Sequence, residues 1–226
     1  MARVLMKSMI CLAAFPILLC AQETTNAQET GVASLKGRHS VAASVGLMVE
    51  ANSSQVVSVD GIRSGQRATA PLGMLSYIHW FQRDWAVTLS GGLLSAEATS
   101  SVNGPNVSSE TGSVIPILFG IRYQPAALAL SPAVRPYFSG SVGPYLGVGT
   151  RSGTGTVTGS ETISETAVGA RVAAGMDWLF GRFTFGMNAG YHFVTDFKQR
   201  IGSKKNYSGA ELSLTFGILL GKGTAK

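Results

Sequence analysis

"RFTFGMNAGYHFVTD", residues 182–196, carries the decisive pattern. Every second residue from Phe183 to Phe193 is large or apolar: Phe183, Phe185, Met187, Ala189, Tyr191, Phe193. Thr184, Gly186, Asn188, Gly190 and His192 stand between them. A period of two is that of a β-strand whose faces meet different surroundings.

One such strand also fits a soluble sheet, so repetition decides. In 207–220, Ala210, Leu212, Leu214, Phe216 and Ile218 alternate with Gly209, Glu211, Ser213, Thr215 and Gly217. In 166–178, Val168, Ala170, Val172, Ala174, Met176 and Trp178 oppose Gly169, Arg171, Gly175 and Asp177. Residues 136–149 and 39–50 repeat the pattern, the second with Val41, Ala43, Val45, Leu47 and Val49 against Ser44, Gly46 and Glu50. Weaker runs lie at 68–81, 85–95 and 112–123, the last with Arg122 on the polar face. In 71–81 the outward face is open between Leu75, Tyr77 and Met74, Ile78. Glu211 and Arg171 in mid-strand do not suit a sandwich core, so the apolar face points out to lipid and the small polar face lines a narrow interior. Pro116 and Pro144 each remove a ladder donor, and a bulge is expected near each.

Composition agrees. The 226 residues are 45% hydrophobic and only 13% charged, with 28 glycines. The one concentrated apolar run, "MICLAAFPILLCA", follows Arg3 and Lys7. It is short for a spanning helix and reads as a secretory signal over residues 1–27, cut after Ala21 or Ala27. Leu19 before Cys20 is bulky for a lipoprotein signal. Both cysteines, Cys11 and Cys20, lie in this segment, which excludes a disulfide-stapled mature fold. The net charge of +6 is spread along the chain, and no basic run suggests nucleic acid.

Eight strands follow, an all-β, antiparallel, up-and-down transmembrane barrel over residues 39–221. A short periplasmic segment (28–38) precedes it and a tail (222–226) follows. Short connections at 82–84, 124–134 and 180–182 alternate with long ones at about 51–66, 96–110, 150–164 and 196–206. Asp60-Gly61 and Asn103-Gly104 are hairpin dipeptides, so strands can run on past the membrane. Trp80, Trp85, Tyr123, Tyr137, Trp178 and Phe183 cluster beside short turns and are expected in an aromatic girdle. Tyr191, Phe193 and Tyr207 would form the opposite girdle. The barrel's mid-lipid face predicts a cost of ~2–4 kcal/mol for Leu214→Arg, and less for the same change at Ser213.

The segment "VRPYFSGSVGPYLGVG" and the final strand, Gly209-x-x-Leu212-x-Leu214-x-Phe216, together with the alternation, carry a resemblance. Over residues 37–221 the chain resembles the eight-stranded outer-membrane barrels of Gram-negative bacteria, the OmpA/OmpX/opacity-protein-like group, with OmpW as a neighbour. The resemblance implies a bacterial outer-membrane location, contact with outer-membrane lipids and lipopolysaccharide, and a C-terminal signal for the barrel-insertion machinery.

Glu50, Arg122, Arg171, Asp177 and Glu211 fall on the inward face, with His192 similar in character. Charge inside a narrow barrel must pair, so a structural network is expected, Arg171 pairing with Glu211 or Glu50. A gated or proton-conducting lumen is the functional alternative. Resemblance to lipid A deacylases would require a serine two residues from a histidine near the C-terminus; Phe193 and Val194 follow His192, so that match fails. No spacing supports a metal or cofactor. The last long connection is basic through Lys198, Arg200, Lys204 and Lys205, and could meet lipopolysaccharide phosphates. The expected role is structural or surface-interacting through four long extracellular loops. The alternatives are a narrow channel for small or hydrophobic solutes and a lipid-modifying enzyme.

Overall fold

The computed structural model describes residues 34–51, 69–103, 106–154, 159–202 and 204–221. The signal segment, most of the first long connection with Asp60-Gly61, and Gly104 lie outside the described residues. Eight antiparallel strands run in chain order: β1 (His39–Glu50), β2 (Thr69–Trp80), β3 (Trp85–Leu93, continuing as Ser95–Asn103), β4 (Asn106–Tyr123), β5 (Val134–Thr154), β6 (Gly159–Phe180), β7 (Phe183–Val194) and β8 (Gly209–Leu220). Each pairs with its sequence neighbours, and β1 with β8 closes the cylinder, His39 facing Leu220 and Glu50 facing Gly209. Closure leaves no unpaired edge within the membrane, where lipid offers no hydrogen bonds.

The alternation maps directly onto the two faces. Val45, Leu75, Phe119, Val142, Val172, Phe193, Leu214 and Phe216 are exposed on the outside. Leu75, at 65% exposure, and Tyr77 give the outward face of β2, while Met74 and Ile78 are buried inside. The choice left open by β2's composition was made by its partner: Ala43 pairs with Leu75 and Val41 with Tyr77, so β2 takes β1's phase.

β4, β5 and β6 have 18, 21 and 22 residues. About 9–11 residues span a bilayer. The outward apolar residues stop at Ile115, Val148 and Val168. Beyond them, Ser160, Glu161, Thr162, Ser164 and Thr166 are all exposed. The second and third long connections are therefore hairpins, and the second half of β3 with β4, β5 and β6 forms a four-stranded sheet standing above the barrel. Ser160, Glu161 and Thr162 are exposed on both faces, so this part of the sheet stands clear of the membrane.

One bulge interrupts the ladders. Gly91 faces Ile117 and Ser95 faces Val114, so three residues (92–94) oppose two (115–116). It lies on the strand beside Pro116, where a donor is missing. At Pro144 there is no bulge: β5 keeps one register with β6 from Val134 to Gly153, and the same β4 register on both sides of a gap at Gly143–Pro144. A proline deletes a hydrogen bond without adding a residue, and Gly143 lets the strands stay close, since a Cβ there would meet Ile117 O at 2.0 Å. At the last short turn, Phe180 faces Phe183 and Gly181 takes φ +63°, a value that favours glycine.

Candidate functional site

Side chains fill most of the lumen. At the short-turn end, Leu35 lies in a cluster with Ile78, Trp80, Ala86 and Leu219. The chain before β1 is tied there by Gly37 N–H to Trp80 O (2.8 Å) and Trp80 N–H to Arg38 O (3.1 Å). Trp80, only 3% exposed, is thus a stopper inside the barrel and not a girdle residue. Its even-numbered phase matches Ile78 and Met74, and strand phase overrides the preference of an indole for the interface.

Polar side chains come next. Arg122 forms an ion pair with Asp177, which also accepts a hydrogen bond from Gln124 Nε2 (3.2 Å). The Arg122 guanidinium lies 3.4 Å over the centre of the Tyr137 ring. Tyr137 is accordingly buried and, like Trp80, does not belong to the girdle. Its phase is that of Ser139 and Ser141, and the cation–π contact gives its ring an interior partner.

A second cluster is continuous. Glu211 accepts from Arg171 Nε (3.0 Å) and from Arg171 Nη2, and its other oxygen lies 2.6 Å from His192 Nε2. His192 Nδ1 is 2.9 Å from the Tyr145 hydroxyl. Arg171 also donates to Asn188 Oδ1 (3.1 Å); Asn188 Nδ2 donates to Thr215 Oγ1 (3.4 Å), which lies 2.9 Å from Ser44 Oγ. β6, β7 and β8 bring these together because Arg171 faces His192 across one ladder and Gly190 faces Glu211 across the next. Gly190 lacks a side chain where Glu211 must cross, a Cβ there falling 3.1 Å from Glu211 Oε1. Arg171 thus meets Glu211. Glu50 enters only by register, opposite Gly209. Tyr145, Asn188, Gln124 and Arg135 were missing from the sequence-derived set. All four lie inside, and an inward phase combined with a polar or phenolic side chain was the available signal.

A cavity of ≈ 50 Å³, measured as the space open to the centre of a water-sized sphere, adjoins Arg122 and Arg171 and is lined by hydroxyls including Ser76, Ser90, Ser139 and Ser141. That suffices for a few waters and no more. Beyond Tyr145 the lumen turns apolar. Met48, Leu72, Met74, Leu94, Val114 and Leu118 pack with Phe197, Ile201 and Tyr207 of the last long connection. That connection folds into the barrel mouth instead of projecting from it. Gly112 and Gly147 make room: a Cβ on Gly147 would fall 2.7 Å from Ile201 Cγ1 and 2.9 Å from Phe197 Cε1. Tyr207 donates to Ile201 O and is fully buried, so it is no part of an outer girdle. Lys204, 5% exposed, is bridged to Ile201 and is removed from the expected basic surface; Lys198, Arg200 and Lys205 remain exposed.

A scan of protein-family models and a search of curated proteins gave no match. Solved structures did. The outer membrane protein OprG from Pseudomonas aeruginosa is 14% identical, with 86% of this chain and 100% of that one covered and a TM-score of 0.50. Ail, the attachment invasion locus protein of Yersinia pestis, is 14% identical over 82% of this chain and 99% of its own, with a TM-score of 0.48. This chain has the fold of an eight-stranded outer-membrane barrel. In that setting the outer aromatics at the short-turn end form pairs: Trp85 with Tyr123 (4.5 Å between ring centres), Trp178 with Phe185 (5.6 Å), and Phe185 with Phe216 (5.1 Å). Phe183 is exposed beside them. At the other end Tyr191 and Phe193 pair at 4.6 Å.

Proposed function

We propose that this barrel is a structural outer-membrane protein that presents its hairpins at the cell surface for contact with other macromolecules, and that it does not conduct. The observation that carries the proposal is the four-stranded sheet above the rim. One edge, Ser95–Asn103, pairs only with β4, and the other, in β6 before Val168, pairs only with β5. Unpaired backbone groups along both edges favour association with an external chain or surface. The filled mouth argues against the channel alternative. Exposed Lys198, Arg200 and Lys205 beside the mouth support contact with lipopolysaccharide phosphates at the base of the sheet.

The test cuts the hairpins back to the Ala98–Thr111 and Thr150–Thr162 pairs and closes each with an Asn-Gly turn. Cells displaying the shortened barrel, with folding verified by heat-modifiable migration, should bind a protein-coated surface at least tenfold less than cells with the full chain. Equal binding removes the surface role. Discrete, stable openings of the full chain in planar bilayers would restore the channel.

A further inference from the structure

Two histidines remain outside the lumen. His39 and His79 are direct cross-strand partners on β1 and β2, near the short-turn end. Both share the outward phase of Val41 and Tyr77, and both are half-buried. Their rings stack at 4.5 Å between centres, 23° from parallel, with the two Nδ1 atoms 3.1 Å apart. The Tyr77 hydroxyl reaches the same His39 Nδ1.

Hydrogen bonding alone does not account for this cluster. An imidazole nitrogen has one in-plane position, holding either a proton or a lone pair. His39 Nδ1 can serve His79 or Tyr77 there, not both. Two nitrogens bound to one metal ion at about 2.0–2.1 Å, with an angle of roughly 95–110°, stand about 3.0–3.4 Å apart. The observed separation falls in that range. Stacked as they are, the two rings must turn about their Cβ–Cγ bonds before both lone pairs address one ion, with the phenol oxygen alongside. Among the described residues no three His, Cys, Asp or Glu side chains gather, and the side-chain oxygen that reaches this pair is the Tyr77 phenol.

We propose that His39, His79 and Tyr77 bind one divalent transition-metal ion of the imidazole-preferring class, Cu(II) most tightly, on the outer face of the barrel at the short-turn rim. Two imidazoles select this class over calcium or magnesium, and copper leads the affinity order for such donors. On binding, the phenol gives up its proton to solvent and the imidazoles stay neutral. Water fills the remaining position. The site is independent of the hairpin sheet and of the lumen.

The experiment uses the full chain, purified without a polyhistidine tag, folded in detergent and titrated with Cu(II) chloride. One ion per barrel is expected, with electron-paramagnetic splitting from two nitrogens and a visible charge-transfer band from tyrosinate. His39→Ala and His79→Ala should each weaken binding at least tenfold, and Tyr77→Phe should abolish the band. Undiminished binding in either histidine variant, or no stoichiometric binding by the full chain, overturns the proposal. If a variant fails to fold, the spectrum of the unaltered protein decides: splitting from fewer than two nitrogens also overturns it.

Discussion

Between Tyr145 and the Leu35–Trp80 plug at the short-turn end, the lumen is made of hydroxyls and paired charges. On the hairpin side, Met48, Leu118, Phe197 and Ile201 pack as a small apolar core. Both regions use inward positions of the same strands, the second with Phe197 and Ile201 added from the last connection, yet different physics holds them. The polar half depends on each charge finding its partner, because a lone buried charge is expensive and a satisfied pair is near neutral. The apolar half gains from every buried methylene and is penalised by cavities. The polar half is therefore sensitive to chemistry and the apolar half to volume.

Substitutions can break this contrast. Glu211→Gln has the largest expected effect, since it leaves Arg171 and His192 without their shared carboxylate. A cost of about 3–5 kcal/mol is expected in urea unfolding from lipid vesicles. Replacing the pair together, as Arg171→Met with Glu211→Leu, should recover most of that. If the double change costs as much as the single one, pairing is not what matters there.

In the apolar half, Phe197→Ala should cost about 3 kcal/mol by the same measurement. It should also admit solvent to the mouth, read as faster hydrogen exchange at the Tyr207 amide. Unchanged stability would mean that the connection only rests on the barrel.

The outer face gives the third comparison. Leu214→Arg should cost about 2–4 kcal/mol near mid-bilayer. A milder change was expected at Ser213 because it faces the polar interior and not lipid. Ser213 is buried, and its Cβ lies 2.5 Å from where a Cβ on Gly46 would be. Ser213→Arg should therefore cost at least as much as Leu214→Arg, and a smaller cost would indicate a looser interior.

The smallest effect sharpens the boundary between the two halves. Tyr145→Phe keeps the ring among apolar neighbours and removes only the bond to His192. About 1 kcal/mol is expected. A much larger loss would make Tyr145 a member of the charge network and not its upper edge.

The aromatics illustrate how far the chain's pattern could be followed. Trp85, Tyr123, Trp178 and Phe183 lie outside near the short turns, as their phase and position imply. Trp80 and Tyr137 stand equally close to those turns but on the opposite phase, and they are inside. Counting in twos from Ile78 and Ser139 would have placed them there; proximity to a turn was the weaker guide. Within the network, Arg171 and Glu211 were recognisable as inward charges. Their partnership depended on the registers of β6 with β7 and β7 with β8.

The sequence by itself determined that long two-faced strands close into a cylinder with its apolar side outward. Each residue's face follows from a period of two, which is local. Only the tertiary structure decided what fills the cylinder. Leu35 below and Phe197, Ile201 and Tyr207 above come from segments with no alternation. Phe197 and Ile201 fit because Gly112 and Gly147, on distant strands, leave space for them. Such packing between remote segments has no period, so it could not be read along the chain.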